Sequence, residues 1–144
     1  MFNKQLQKIL GVDIEDYKEI SGKYKIAEKN GKGSEYTLNT NKLIFEGEYL
    51  NWKRNGKGKE YDSDGELIFE GEYLNGERNG KGKEYYSDGK LIFEGEYLNG
   101  KKWNGQGYNK NGNTDRDYEI KDGKGHIKEY DYNKLRFEGE YLNG

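Results

Sequence analysis

The chain has 144 residues, a net charge of -2 and few aliphatic side chains, but 22 Gly and 14 Tyr. The lack of Cys excludes disulfides, thiolate nucleophiles and zinc–thiolate sites, and no apolar run approaches the roughly 18 to 20 residues of a membrane span. Low aliphatic content is typical of disordered chains, but near-neutral charge and abundant aromatic residues favour an ordered, thin sheet. We expect a cytoplasmic protein, either free or at the periphery of a membrane.

Residues 1–19 precede the repeated part of the chain and do not repeat. Apolar residues between Phe2 and Leu10 fall at helical spacing, which predicts a short helical or coil cap. Such a cap would cover the exposed first edge of a sheet built from repeats. A membrane-surface anchor is the alternative interpretation, although Lys4 and Lys8 alone make a weak basic face.

One stretch of about ten residues recurs through residues 20–144, and repetition at a fixed period is the signature of a repeat architecture. Its clearest copy reads LIFEGEYLNG, and a second piece, Asn-Gly-Lys/Gln-Gly, follows each copy except the last. In the copy at 43–51, Trp52 stands where the other copies have their final Gly. The first piece lies at 43–51, 67–76, 91–100 and 137–144, and the second at 55–58, 79–82 and 104–107.

Alternation within the unit predicts a β-hairpin. Leu67, Phe69, Gly71 and Tyr73 fall on one face of a strand, and the residues between them, which include two glutamates, fall on the wetter face. Asn-Gly pairs are strong turn signals, so the chain is expected to reverse into a second strand that starts at Gly80.

Glycine normally weakens a strand, so its recurrence here needs a physical reason. Glycines in the second strand leave room for Phe and Tyr rings of the flanking strands to lean over it and touch. An aromatic ladder then replaces the missing aliphatic core. Its predicted members are Phe45, Tyr49, Phe69, Tyr73, Phe93, Tyr97, Phe137 and Tyr141.

The period breaks after Gly100. A shortened hairpin is predicted there, with strands at 117–121 and 124–130 around an Asp122-Gly123 turn. Residues 137–144 then begin a further unit and stop at its turn. We expect either a fragment or short terminus of a longer array, or an edge strand that another molecule, such as a second copy in a homodimer, would pair with.

The motif Phe-Glu-Gly-Glu-Tyr-Leu-Asn-Gly followed by Arg/Lys-Asn-Gly-Lys-Gly resembles the membrane occupation and recognition nexus (MORN) repeat, over roughly 20–144. Phe69, Gly71, Tyr73, Gly76 and the glycines at 80 and 82 occupy the family's aromatic and glycine positions. The unit is one residue longer than the common form and is similar to a variant common in bacterial proteins, some labelled antitoxins. The resemblance implies an elongated scaffold for protein contacts and dimerisation, and it is also linked to lipid binding.

The predicted fold is therefore all-β: an elongated, twisted antiparallel sheet of stacked β-hairpin repeats, with about five hairpins plus a terminal strand, or about eleven strands. The short N-terminal helical or coil cap occupies residues 1–19, and the MORN-type array occupies residues 20–144.

Residues that suggest catalysis or metal binding have simpler explanations. Asp62, Asp64 and Gly65 resemble the start of a calcium loop, but no bidentate Glu follows at the required distance, so a plain Asp-Gly turn is predicted. The single histidine, His126, lacks a partner pattern. We predict no catalytic residue, metal or cofactor, and therefore no enzyme.

The hairpin tips carry the residues predicted to bind. Trp52 and Trp103 are the expected contact residues, because an apolar ring at a tip adds little to its own sheet and Trp is enriched at binding hot spots. A basic edge is predicted beside them, with Lys53, Arg54, Arg78, Lys101 and Lys102 as its binding residues.

Three functions fit these features: a non-catalytic scaffold that binds a protein along its aromatic-bearing face, peripheral binding to anionic phospholipid, and an antitoxin-like neutralising protein. Nucleic acid is excluded as a partner, because the pI of about 5.6 is far from a basic footprint.

Overall fold

The computed structural model describes residues 17–20, 22–109, 116–131 and 134–142, and within these ranges it contains strands and no helix. The cap predicted for residues 1–19 lies mostly outside the described residues. Residues 17–19 of that segment belong to the first strand. The strands are β1 (Tyr17–Ile20), β2 (Lys23–Ala27), β3 (Gly31–Thr37), β4 (Leu43–Leu50), β5 (Lys53–Tyr61), β6 (Leu67–Leu74), β7 (Glu77–Tyr85), β8 (Leu91–Leu98), β9 (Lys101–Tyr108), β10 (Arg116–Ile120), β11 (Lys124–Asp131) and β12 (Lys134–Leu142).

The strands pair in chain order, which confirms the predicted antiparallel sheet of consecutive hairpins. β1 to β10 form one ten-stranded sheet. At the end of the described chain, β11 and β12 form a separate two-stranded sheet. Only one isolated bridge, Lys121 to Lys124, joins β11 to β10, so the long ladder of backbone hydrogen bonds stops there within the described residues.

The hairpins reverse at two-residue turns in the left-handed conformation. Asn75 has φ 53° and Gly76 has φ 99°, and the predicted Asp122-Gly123 turn is confirmed by φ values of 50° and 69°. Positive φ at both positions matches the twist of the flanking strands. Trp52 occupies the same position as Gly76 with φ 65°, which is costly for a bulky side chain.

Each second strand starts earlier than predicted. β7 begins at Glu77, directly after the turn, and not at Gly80. The Asn-Gly pair that was expected to help form the turn instead lies inside β7, in a bulge opposite Glu72. Asn79 uses its side chain to accept a hydrogen bond of 3.2 Å from the backbone N–H of Asn99 in the following turn.

Consecutive turns are joined to one another by backbone hydrogen bonds. The N–H of Gly76 donates to the carbonyl of Arg54 at 2.9 Å, and the N–H of Gly100 donates to the carbonyl of Arg78 at the same distance. Trp52 and Gly123 make the equivalent bonds to the unit before them. The tips therefore form a connected row along one long side of the sheet.

The predicted aromatic contacts across glycine are present. The rings of Phe45 and Tyr73 meet edge to face with centroids 5.2 Å apart, and both cover Gly58 on the strand between them. A Cβ at Gly58 would lie 2.5 Å from the ring of Phe45 and 3.1 Å from the ring of Tyr73. Such a close approach requires glycine. The same arrangement joins Phe69 to Tyr97, also at 5.2 Å.

The second sheet packs against the end of the first. Ile120 of β10 and Ile127 of β11 are both buried in the common core. The hydroxyl of Tyr141 donates a hydrogen bond of 3.1 Å to the carbonyl of Lys102. This sheet therefore covers the last rings of the array.

Candidate functional site

The sheet has two faces, and we name them by what they carry. The ring face bears the Phe and Tyr side chains of β4, β6 and β8. The groove face bears the side chains that alternate with them. Because the sheet is a single layer, each face must either be covered by its own side chains or be exposed to solvent.

On the ring face, charged side chains cover the aromatic ladder. The guanidinium of Arg54 lies 4.0 Å from the ring centroid of Phe45, and that of Arg78 lies 3.9 Å from the centroid of Phe69. The ammonium of Lys102 takes the same place over Phe93 at 4.9 Å. Cations over aromatic faces are attracted by the ring quadrupole, so this layer is part of the core.

These cations alternate with glutamates in a continuous ion ladder across the sheet. Glu60, for example, lies 3.0 Å from Arg78 and 3.7 Å from Arg54. Glu84 joins Arg78 and Lys102, each at 2.8 Å. The complete order is Lys25, Glu35, Arg54, Glu60, Arg78, Glu84 and Lys102.

The ion ladder shifts the pKa values of several of its members. Burial acts to raise the pKa of Glu60, but hydrogen bonds from Arg78 and Tyr73 and the charges of Arg78 and Arg54 outweigh it, so the pKa falls below its usual value. Glu35 behaves in the same way. Burial raises the pKa of the Tyr73 hydroxyl, and the hydrogen bond of 2.5 Å to Glu60 raises it further. Glu35 and Glu60 are therefore charged near neutral pH, and the Tyr73 hydroxyl stays protonated.

The predicted basic edge is only partly present. Lys53 and Lys101 are exposed at the hairpin tips. Arg54, Arg78 and Lys102 are half-buried in the ion ladder. They contact glutamates and rings because each faces a ladder tyrosine across the hairpin, as Arg78 faces Tyr73. Their side chains are therefore engaged within the sheet, and their role as binding residues stays a prediction.

The two tryptophans are half-buried at different places. Trp52 lies in the turn between β4 and β5, where its carbonyl accepts a hydrogen bond of 2.9 Å from Lys25. Trp103 is the extra residue of a bulge in β9, between Lys102 and Asn104. Their role as contact residues stays a prediction.

Of the eight predicted ladder residues, the structure brings six together. The rings of Phe45, Tyr49, Phe69, Tyr73, Phe93 and Tyr97 are all buried. Tyr141 is partly buried against this core, but Phe137 is 45% exposed. Both lie on β12, in the second sheet. Among the described residues β12 pairs only with β11, so the strand that covers the equivalent Phe in the other units is not present there. A homodimer through this edge stays a prediction.

The groove face contains an open groove of about 1130 Å³ across six strands. Its lining is formed by the central three residues of each strand, and in every strand but β3 two like charges flank a glycine. Glutamates occupy β4, β6 and β8, and lysines occupy β5 and β7. The lining segments are 32–34, 46–48, 57–59, 70–72, 81–83 and 94–96.

The carboxylates of the groove are held in place. Tyr61 donates a hydrogen bond of 2.6 Å to Glu46, and the backbone N–H of Lys57 donates one of 2.8 Å to Glu48. Burial and the hydrogen bond to Glu46 raise the pKa of Tyr61 to about 12. The same pair of contacts fixes the next two carboxylates: Tyr85 binds Glu70 and the N–H of Lys81 binds Glu72.

Several groove lysines differ from these carboxylates in how they are held. Lys83 pairs with Glu94 at 3.1 Å. For the ammonium groups of Lys57, Lys59 and Lys81, by contrast, no ion-pair partner occurs within the described part of the chain. The groove therefore presents fixed negative groups and movable positive groups.

A stripe of leucines borders the groove towards the hairpin tips. We call Leu50, Leu74 and Leu98 the leucine stripe; they are 48%, 49% and 40% exposed. Each lies two residues beyond a groove glutamate, on the same face and one on every second strand. The stripe was not predicted as a site, although its spacing of 24 residues is visible in the sequence.

The other candidates for chemistry have structural roles. Asp62 accepts hydrogen bonds from the backbone N–H groups of Asp64 and Glu66, at 2.9 and 3.0 Å, so the predicted plain Asp-Gly turn is confirmed. His126 is exposed between Glu138 and Glu140, at 3.3 and 3.4 Å. Within the described residues no cluster of three metal-ligating side chains occurs.

Comparison with known sequences matches the central part of the chain to a repeat family. The family model of the MORN repeat matches the chain twice in tandem, at residues 45–66 and 69–90. These two segments match the MORN repeat, a non-catalytic repeat type that is typically found in scaffolds that interact with proteins or membranes. No curated protein matches the chain significantly.

The matched residues cover most of β4 to β7 and the turn that leads into β8. They include the four inner lining segments of the groove and two cations of the ion ladder, Arg54 and Arg78. In the described residues no helix is long and apolar enough to cross a bilayer.

Proposed function

We propose that this protein is a non-catalytic scaffold that binds another protein in the groove of its repeat sheet. The observation that carries the proposal is the contrast between the faces. The ring face has used its aromatic and charged groups in internal contacts, whereas the groove is open and bordered by exposed leucines. Docking along the aromatic-bearing face is disfavoured, because its rings are buried.

Protein is favoured over anionic lipid by the charge of the groove. Its lining holds five lysines and six glutamates, so it offers no net attraction to an anionic surface. Three cations of the predicted basic edge are also engaged in ion pairs. The antitoxin-like function stays a prediction.

The proposal is tested by photo-crosslinking from defined positions. A photoreactive amino acid placed at Lys57 or Lys81 reports on the groove, and the same residue at Lys53 or Lys101 reports on the exposed tips. We expect one partner protein to be crosslinked from both groove positions and not from the tips. We also expect Leu74→Asp to abolish the crosslink while the protein stays folded.

Crosslinks that come only from the tips would contradict the proposal and would favour contacts through Trp52 and Trp103. Co-sedimentation with phosphatidylserine vesicles at low salt is the second arm. Binding to these vesicles that Lys53→Glu and Lys101→Glu abolish would favour the lipid alternative.

A further inference from the structure

The groove has a regular charge pattern that constrains the partner. Each strand from β4 to β8 contributes two residues of like charge, which are glutamates on β4, β6 and β8 and lysines on β5 and β7. Neighbouring strands are about 4.8 Å apart, so the sign changes every 4.8 Å and repeats every 9.6 Å or so. The leucine stripe has the same repeat, because it uses every second strand. A segment that lies along the groove must match these two spacings.

Strand addition does not fit, because the strands that line the centre of the groove already have a partner on each side. An extended segment across the strands also fails, since its same-face side chains recur at about 6.6 to 6.8 Å. A polyproline II helix has a suitable pitch of about 9.3 Å. Its recognition depends on aromatic-lined grooves, however, and the lining residues here are Lys, Glu, Gly and Ser.

An α-helix fits both spacings. Side chains at i and i+3 or i+4 are about 5 to 6 Å apart, and side chains seven residues apart are separated by about 10.5 Å along the axis. The mismatch with the sheet is about 1 Å per repeat. Across the six strands of the groove it amounts to a few ångströms, which long Lys and Glu side chains can absorb.

The width of the groove face also suits a helix. From Leu74 to Ile68 a strand runs six residues, or about 20 Å, and a helix with its side chains is about 10 to 12 Å across. The helix would place its acidic residues over the ammonium groups of Lys57 and Lys81, which have no ion-pair partner within the described residues. Its basic residues would meet the fixed carboxylates of Glu48, Glu72 and their neighbours.

We propose that the groove binds an amphipathic α-helix of a partner protein, in which acidic and basic residues alternate at i and i+3 or i+4 and one apolar residue per heptad contacts the leucine stripe. This inference rests on the proposed function and specifies the partner. The charge pattern determines register and partner choice more than affinity, because the groove is nearly neutral.

Two synthetic peptides of identical composition test it. Both are helical and about 18 residues long, with an apolar residue every seven positions. One alternates Glu and Lys along the groove-facing side, and the other collects the same residues into a block of Glu followed by a block of Lys. Binding is measured by fluorescence anisotropy. We expect the alternating peptide to bind at least about tenfold more tightly, because in the block peptide several of the attractive charge pairs with the groove become repulsive.

Substitutions in the protein provide the matched controls. Lys57→Glu with Lys81→Glu should weaken the alternating peptide about tenfold, and a peptide with lysines at the facing positions should restore binding. Lys53→Glu with Lys101→Glu makes the same charge change at the tips and should have no effect. Circular dichroism of each variant establishes that the fold is retained.

The outcomes separate this inference from the proposed function. Equal binding of the two peptides, or binding of neither, overturns the helical partner even if the groove crosslinks a protein. A crosslinked partner segment that is not helical when bound overturns it as well. If the groove also gives no crosslink, the proposed function falls with it.

Discussion

The two faces of the sheet consist of alternate residues of the same strands, yet they behave as different surfaces. On the ring face, Tyr73, Glu60 and Arg78 satisfy one another within a buried ladder. On the groove face, Leu74, the next residue after Tyr73, is half exposed, and the ammonium of Lys81 has no ion-pair partner within the described residues. A single-layer sheet can therefore assign stability to one face and leave the other for binding. Neighbouring substitutions should then have opposite kinds of effect.

The sharpest contrast is expected between Phe69→Ala and Leu74→Ala. Phe69 is fully buried, so its loss removes ring contacts on both sides and should lower the free energy of unfolding by about 3 to 5 kcal/mol. Leu74 is exposed, and its substitution should cost within about 0.5 kcal/mol. Urea denaturation measures both. Similar losses would mean that the groove face also carries the core.

Gly58→Ala should be the next largest effect. The new methyl group would meet the rings of Phe45 and Tyr73 and force them apart, at a cost of about 1 to 3 kcal/mol. The control is Lys59→Ala, the next residue along β5 on the groove face, which should change unfolding little. If both variants unfold at the same urea concentration, the close approach over Gly58 is not important for stability.

The ion ladder predicts a smaller difference between two glutamates. Glu60→Gln leaves Arg78 and Arg54 without their shared carboxylate and should cost about 1 to 3 kcal/mol. Glu70→Gln, on the groove face, keeps a hydrogen bond from Tyr85 and should cost less than about 0.5 kcal/mol. Thermal unfolding of the two variants at low and high salt compares them. Equal destabilisation would remove the distinction between the faces.

Lowering the pH should reduce the stability of the unmodified protein through the same ion ladder. The pKa values of Glu35 and Glu60 are lowered in the folded state, so both contribute stability above their unfolded pKa of about 4.3. That stability is lost as the pH falls through their folded pKa values, because the unfolded chain then binds more protons. Urea midpoints between pH 7 and pH 3 should show the loss, and Glu60→Gln should reduce it. A pH profile unchanged by Glu60→Gln would contradict the ladder.

The smallest expected effect is that of Trp52→Gly. Glycine removes the strain of a bulky residue with positive φ, worth about 1 to 2 kcal/mol, but it also removes the packing of a half-buried indole. We expect the urea midpoint to stay unchanged or rise slightly. A fall in the free energy of unfolding of more than about 2 kcal/mol would show that Trp52 is needed for the fold. Unchanged stability with weaker partner capture would support its predicted role in contacts.

The aromatic ladder was predictable because strand alternation and the repeat both locate Phe69, Tyr73 and Gly82. The positions of the ladder cations were only partly predictable. Counting back in steps of two from Gly82 places Arg78 on the ring face, since the bulge in β7 adds two residues and keeps the alternation. The bulge in β9 adds one residue, Trp103, so the same count fails for Lys102.

Other features required the three-dimensional arrangement. The residue types of Lys57 and Glu72 indicate a solvated face, but that they line one groove depends on the shape of the whole sheet. The separation of β12 from the array, which exposes Phe137, depends on how β11 packs after the Asp122-Gly123 turn. A repeat motif defines the contacts inside a unit and does not determine where the series of units bends away.

The hydrogen bond from Gly76 to Arg54 recurs 24 residues later, from Gly100 to Arg78. The ring contacts and the ion pairs recur with the same shift. Removing a 24-residue segment such as 53–76 would therefore join two ends that already share the same surroundings. Gene rearrangements that gain or lose one whole period would change the length of the groove, and hence the length of the proposed partner segment, without requiring a new fold.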